Sequence, residues 1–219
     1  MIKRESKLIL ILIFIMGICA CTLHGMKIEK TTAPNVPLNA GVRDSSFLTD
    51  MEKEIIVELN TVRTDPKGYA DYLKGMRGRS QWTQGLEEAI LLIDKKEPLP
   101  PLKASKGLSL AARDLVKDRG PKGLTGHTGS DDKSMFDRMN GYGQWQEKAG
   151  EFLSYGYKDG EAVVARIAID ESATGKDRKE YIFDKDFLVV GVACGPHETY
   201  RIMCAIDFAR AYKEKPDIQ

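Results

Sequence analysis

Histidine, cysteine and carboxylate are the side chains most able to do chemistry, and the first two are scarce here: 3 His and 4 Cys among 219 residues. His127 lies between Gly126 and Thr128 in a loop-like stretch, His24 stands near the start, and His197 follows Gly195-Pro196 between two apolar runs. Taken alone, each reads as a surface or structural histidine. Glu151 follows Gly150 beside a strand-like stretch, and Asp170-Glu171 closes an apolar helical stretch. By themselves these are surface acids and a solvated helix end. Ser109, Ser130 and Ser134 are hydroxyls in the same half of the chain. No spacing singles one out, and nothing supplies an oxyanion site, so no nucleophilic constellation can be read.

The cysteines divide into two pairs. Met1-Ile2-Lys3-Arg4-Glu5-Ser6-Lys7 is a basic start, residues 8–18 are apolar, and Cys19-Ala20-Cys21 follows. A charged start, a short apolar stretch and a small residue before the cut describe a secretory signal. The apolar run is too short to span a bilayer, which takes about 20 residues. A cysteine directly after the small residue is similar to the bacterial lipoprotein signal, in which that cysteine is lipidated. The expectation is a signal peptide over residues 1–20 and a lipid on Cys21. Cys194 and Cys204 bracket a turn between two strand-like runs, and in an exported chain such a pair is expected to form a disulfide.

The elements that must hold these residues follow from pattern. Residues 22–46 carry Pro34, Pro37 and Gly41 without periodicity and read as a flexible tether. Thr49-Asp50-Met51-Glu52 is a capping box, and Ile55, Ile56, Leu59 and Val62 share one helical face until Asp65-Pro66. Further helices are expected over residues 67–73, 86–93, 105–119 and 161–169, with one turn at 134–139. Strands are expected over 150–157, 187–194 and 200–208, the last two joined at Gly195-Pro196. Helices first and strands later, without β-α-β alternation, indicate an α+β layered domain.

Composition bounds the rest. The chain is 42% hydrophobic and 30% charged with a net charge of +1. That supports one real core over about 100–200 residues, with no field for nucleic acid and no cofactor signature.

Several segments in order resemble one family. They are Pro98-Leu99-Pro100-Pro101-Leu102, Gly107-Leu108-Ser109-Leu110-Ala111-Ala112-Arg113-Asp114, Gly126-His127-Thr128-Gly129-Ser130-Asp131, and Asp137-Arg138-Met139. Tyr142-Gly143, Gly150-Glu151, residues 187–195 and Cys204-Ala205-Ile206-Asp207-Phe208-Ala209 complete the set. The ordered set resembles the CAP superfamily, or SCP domain, over about residues 50–210. The resemblance implies a three-layer α-β-α sandwich with a central antiparallel sheet, here over residues 47–212, with a polar tail at 213–219.

It also implies an open cleft lined by two histidines and two carboxylates, which in some members hold a divalent metal. His127 matches the first histidine. Glu151 matches the glutamate of a Gly-Glu-Asn motif, although Phe152 replaces the Asn, and Asp170 or Glu171 matches the second acid. The second histidine is missing: counting back from Ile182-Phe183, its column holds Arg178. Zinc takes three or four His, Cys or carboxylate ligands, so His127 and Glu151 make at most a weak site. Arg178 is expected to stand in for the ion by pairing with Glu151, since its fork suits a carboxylate. The expected protein is a lipid-anchored envelope protein that binds a lipid, protein or matrix ligand, with binding favoured over catalysis. A hydrolase or peptidase using His127 and Glu151, and an adhesin with a vestigial cleft, are the alternatives.

Overall fold

The computed structural model describes residues 41–42, 45–78, 85–169 and 181–216. Cys21, Trp82, Asp170, Glu171 and Arg178 lie outside them. Among the described residues the elements run α1 (Asp50–Thr64), α2 (Pro66–Gly75), α3 (Leu86–Ile93), β1 (Lys103–Ala104), α4 (Lys106–Arg119), α5 (Met135–Tyr142), β2 (Gly143–Tyr155), α6 (Gly160–Ile169), β3 (Val189–His197) and β4 (Arg201–Glu214), with residues 181–183 also helical. A 3-10 turn, Gly120–Lys122, closes α4.

The expected cap is formed. Glu52 N donates to Thr49 Oγ1 at 3.3 Å, and Thr49 N donates to Glu52 Oε2 at 2.7 Å. The Glu52 carboxylate does more than cap. Its Oε1 accepts from Cys194 N at 2.9 Å, and Arg113 pairs with it at 3.2 Å, so one buried acid ties α1 to β3 and α4.

The sheet runs β1-β3-β4-β2. The three long strands are antiparallel, and the two-residue β1 joins β3 in parallel, so the sheet is mixed at one edge. Side chains alternate across it. Val190, Val192, Phe152 and Ile206 enter the main core with α1 and α6 on one face. Ala193, Met203 and Ala205 meet Leu115 and Val116 of α4 on the other. Those two helical layers around one sheet make the expected α-β-α sandwich. Gly191 allows the close approach of α4, because a Cβ there would meet the Leu108 backbone at 2.3 Å.

Three strands are longer than their sequence patterns. β2 begins at Gly143 rather than 150, because a register shift between Gln146 and Ala149 absorbs a polar stretch with Glu147 at φ +62°. β3 and β4 extend through Gly195-Pro196 to His197, leaving the turn to residues 198–200. β4 continues to Glu214, so Lys213 and Glu214 belong to the sheet rather than to a tail. At the other end the fold takes hold before residue 47: Ala104 N donates to Gly41 O at 2.9 Å, and Ser45 is buried.

Cys194 and Cys204 are directly opposed in β3 and β4 with Cα atoms 4.1 Å apart, and they are disulfide-bonded.

Candidate functional site

Glu151 sits on β2 with its side chain fully buried. Its Oε1 lies 2.8 Å from His127 Nδ1, and its Oε2 takes the guanidinium of Arg138. Since Nδ1 faces a carboxylate, it carries the proton there, and Nε2 is left as the free ring nitrogen. The His127 side chain is 51% exposed, while that of Arg138 is only 4% exposed. The histidine is thus the accessible member of a triad whose other two are enclosed.

Local structure fixes each member. Arg138 is on α5, which is started by a capping box between Ser134 and Asp137. Its Nη1 also donates to His127 O at 2.9 Å and to Lys133 O at 3.3 Å, binding the loop to the strand. Arg119, at the end of α4, donates to Thr125 O and Thr128 O from the other side. Gly126 bends the loop at φ +106°, a value only glycine takes readily, and its N–H donates to Tyr155 Oη at 3.1 Å.

Behind the triad lies Asp207, opposite Glu151 in the β2–β4 register and fully buried. Neither of its carboxyl oxygens has a hydrogen-bond partner among the described residues. Burial first, and then the neighbouring Glu151 charge, push its carboxyl well above the usual range. Of these two adjacent carboxyls, Asp207 is the one held protonated to higher pH.

His127 and Glu151 open onto a cleft of about 500 Å³, lined also by Phe152, Leu153, Ser154, Tyr155, Tyr157, Arg166 and Tyr200. His197 braces its far wall. It is buried, its Nδ1 accepts from Thr199 N and Tyr200 N at 3.2 and 3.1 Å, and its Nε2 donates to Leu124 O at 3.2 Å. It is therefore a turn cap, not a second cleft histidine.

Among the described residues, the donor set around Glu151 is not arranged for a metal. Glu151 already gives both oxygens to His127 and Arg138, and the described residues hold no group of three His, Cys, Asp or Glu placed around one point. Arg178, the cation expected beside Glu151, lies outside the described residues; among those, the cation paired with Glu151 is Arg138.

A sequence model of the cysteine-rich secretory protein family (CAP) matches residues 58–207. The chain belongs to that family. No curated protein matches it significantly. Among solved structures, its CAP domain is similar to an outer surface protein of Borrelia burgdorferi at 16% identity and a TM-score of 0.42, covering 69% of this chain and 93% of the other. It is also similar to an extracellular SCP-domain protein of Bacillus anthracis strain Ames at 16% identity and a TM-score of 0.43, covering 75% of this chain and 44% of the other.

Asp207 and Arg138 were within reach of sequence reasoning. Both fall in segments that carry the CAP resemblance, and an acid inside Cys204-Ala205-Ile206-Asp207-Phe208 is out of place in a buried strand unless it has a job. Nothing local marks Tyr155 or Tyr200 as cleft residues; only the pairing of β2 with β4 brings them together.

Proposed function

We propose that this protein is exported, held at the cell envelope by lipid on Cys21, and uses the His127–Glu151 cleft of its CAP domain to bind a ligand without transforming it. Export is supported by the signal-like start and by the disulfide, which persists in oxidising compartments. The outer-surface and extracellular naming of the two similar structures is in keeping with it.

The observation that carries the binding reading is the closed triad. Arg138 neutralises Glu151 in place of an ion, so this carboxylate is not left open as a metal ligand or as an unpaired base. The three serines considered as nucleophiles are all employed elsewhere. Ser109 Oγ donates to Ser105 O and accepts from Val192 N, Ser130 Oγ bonds Asp118, and Ser134 Oγ caps α5. The polar and aromatic lining does not favour a sterol or acyl chain, which leaves a protein or matrix ligand.

Zinc retention tests this. Chelator-washed full chain, loaded with zinc and desalted, is expected to hold no stoichiometric metal. One zinc retained per chain, and lost in His127→Ala, would overturn the closed-triad reading. A hydrolase reading keeps one point in its favour, the Nδ1–Glu151 contact that leaves His127 Nε2 free as a base. Its signature would be a turnover abolished by His127→Ala in protein whose fold is intact.

A further inference from the structure

Among the described residues β2 is the last strand of the sheet, and the sequence of bonds along it shows which of its backbone groups are spare. Gly156 N donates to Ile202 O at 2.9 Å, and in the same register Ser154 pairs with Cys204 and Phe152 with Ile206. Bonded positions alternate in an antiparallel pair. Phe152, Ser154 and Gly156 therefore turn their backbone toward β4, and Glu151, Leu153 and Tyr155 turn theirs away. The other side of β4 agrees: the 4.1 Å Cα separation of Cys194 and Cys204 marks a non-bonded pair, as this alternation requires.

The opposite flank of the sheet shows how the fold treats an edge it means to close. Beside and beyond the short β1, one outward group on each of three β3 residues is taken by α1, by α4 or by the residue that caps α4. Val190 O accepts from Ser105 N at 2.8 Å, Val192 N donates to Ser109 Oγ at 3.1 Å, and Cys194 N donates to Glu52 Oε1 at 2.9 Å. No such partner meets the outward N–H and C=O groups of Glu151, Leu153 and Tyr155 among the described residues. Unpaired edges are usually blunted, because they template pairing with another chain. This one is instead recessed. Residues 151–155 form a wall of the cleft, with Gly126 and His127, Arg166 and Tyr200 also lining it. Tyr200 is 46% exposed there, with its ring 5.4 Å from that of Tyr155.

We propose that the cleft takes an extended peptide as a fifth strand on β2, paired to the outward backbone groups of Glu151, Leu153 and Tyr155, with apolar side chains against Tyr155 and Tyr200. This rests on the reading of the cleft as a ligand site and names the ligand class. The recessed stretch spans about 13 Å, enough for roughly five extended residues. Backbone pairing supplies affinity in such strand addition, and alternate side-chain pockets supply preference. A glycan or a lipid has no ladder of donors and acceptors at this spacing.

The test uses the full chain in detergent and a random linear peptide library displayed on phage. Selected synthetic peptides are expected to slow hydrogen exchange at the Leu153 and Tyr155 amides at least tenfold. N-methylation at every second peptide residue should abolish binding, while methylation at the intervening residues should not. Leu153→Pro, which removes an outward N–H and no bond to β4, should abolish binding with the disulfide and circular dichroism unchanged. Should that variant misfold, the methylation pattern decides alone on the unmodified protein. Peptides that bind the cleft with no alternating effect of methylation would overturn strand addition and leave the binding cleft standing. Peptides that bind unaffected by His127→Ala and Tyr200→Ala together would remove the binding cleft itself. Amides at Leu153 and Tyr155 already protected in the free chain, or no peptide that protects them, would mean that this edge does not take a partner strand.

Discussion

Glu151 and Asp207 stand opposite each other across β2 and β4, and of the two it is Glu151 that is ion-paired, with the guanidinium of Arg138. Glu151 holds the guanidinium directly. Asp207, fully buried and not ion-paired, keeps its proton to a higher pH, because burial and the Glu151 charge outweigh the opposing charge of Arg138. A histidine exposed to the cleft completes the arrangement. The site is therefore a charge-balanced unit that presents one imidazole to a ligand.

Removing Arg138 leaves Glu151 as a buried charge paired with His127 alone. Breaking a buried pair from one side costs about 3–5 kcal/mol. Arg138→Ala is expected to lose that much in urea unfolding, and Arg138→Met combined with Glu151→Met to lose clearly less. An equal loss in the single and double variants would show that the packing of Arg138 matters and its charge does not.

Asp207 makes stability depend on pH in a direction opposite to that of a salt-bridged acid. Its folded pKa is raised, so at low pH both states carry the proton and the group costs nothing. As pH climbs past the ordinary Asp value near 3.8, the unfolded chain ionises first and stability falls. Asp207→Asn keeps the shape without the proton. Thermal unfolding should place it above the parent at neutral pH and level with the parent below pH 3.8. A parent and variant that differ equally at both ends of the range would rule the mechanism out.

How much could be read beforehand depended on the reach of each signal. The α1 cap, the helical faces and the α+β layering are local patterns, and all were legible. Strand ends were not, since Gly195-Pro196 looks like a turn but lies on an edge where β3 tolerates it. The β2 extension depends on a bulge at Glu147, which no alternation pattern announces. At the site, His127 and Glu151 were found by their motifs, and they do meet. The second ligand was sought in the column that holds Arg178, outside the described residues; among those, the cation that balances Glu151 comes from α5, on a different element. Charge balance is a property of the folded site, and it is not confined to one place in the sequence.

Cys21 tests the envelope half of the proposed function separately from the cleft. Lipidation needs the thiol, which serine lacks. Cys21→Ser is expected to move the protein from the detergent phase to the aqueous phase on Triton X-114 partitioning, with the melting temperature of the CAP domain unchanged. Undiminished detergent partitioning of the serine variant would remove the lipid anchor from the proposal.

A second acid with a raised pKa, on α1, gives the last prediction. Glu58 of α1 has its pKa raised to about 7, first by burial and further by Glu161 and Asp159; the nearby Tyr69 hydroxyl, offset from hydrogen-bond geometry, lowers it in part. Around it stand Tyr69 and Tyr72 of α2, the latter bonded to Glu161 of α6, and Glu54 on the same helix, which accepts from Gly160 N. No cation is among these groups. Between the unfolded value of 4.5 and the folded value of about 7, the native state holds a proton that the unfolded chain has lost. Stability must therefore fall as pH rises through that window, by on the order of 3 kcal/mol at 1.36 kcal/mol per unit. Glu58→Gln should flatten this part of the curve and leave the Asp207 contribution in place, so the two variants together should be additive, given their separation. Urea midpoints taken from pH 4 to 8 would show it, and a parent curve that rises across this range would contradict the assignment.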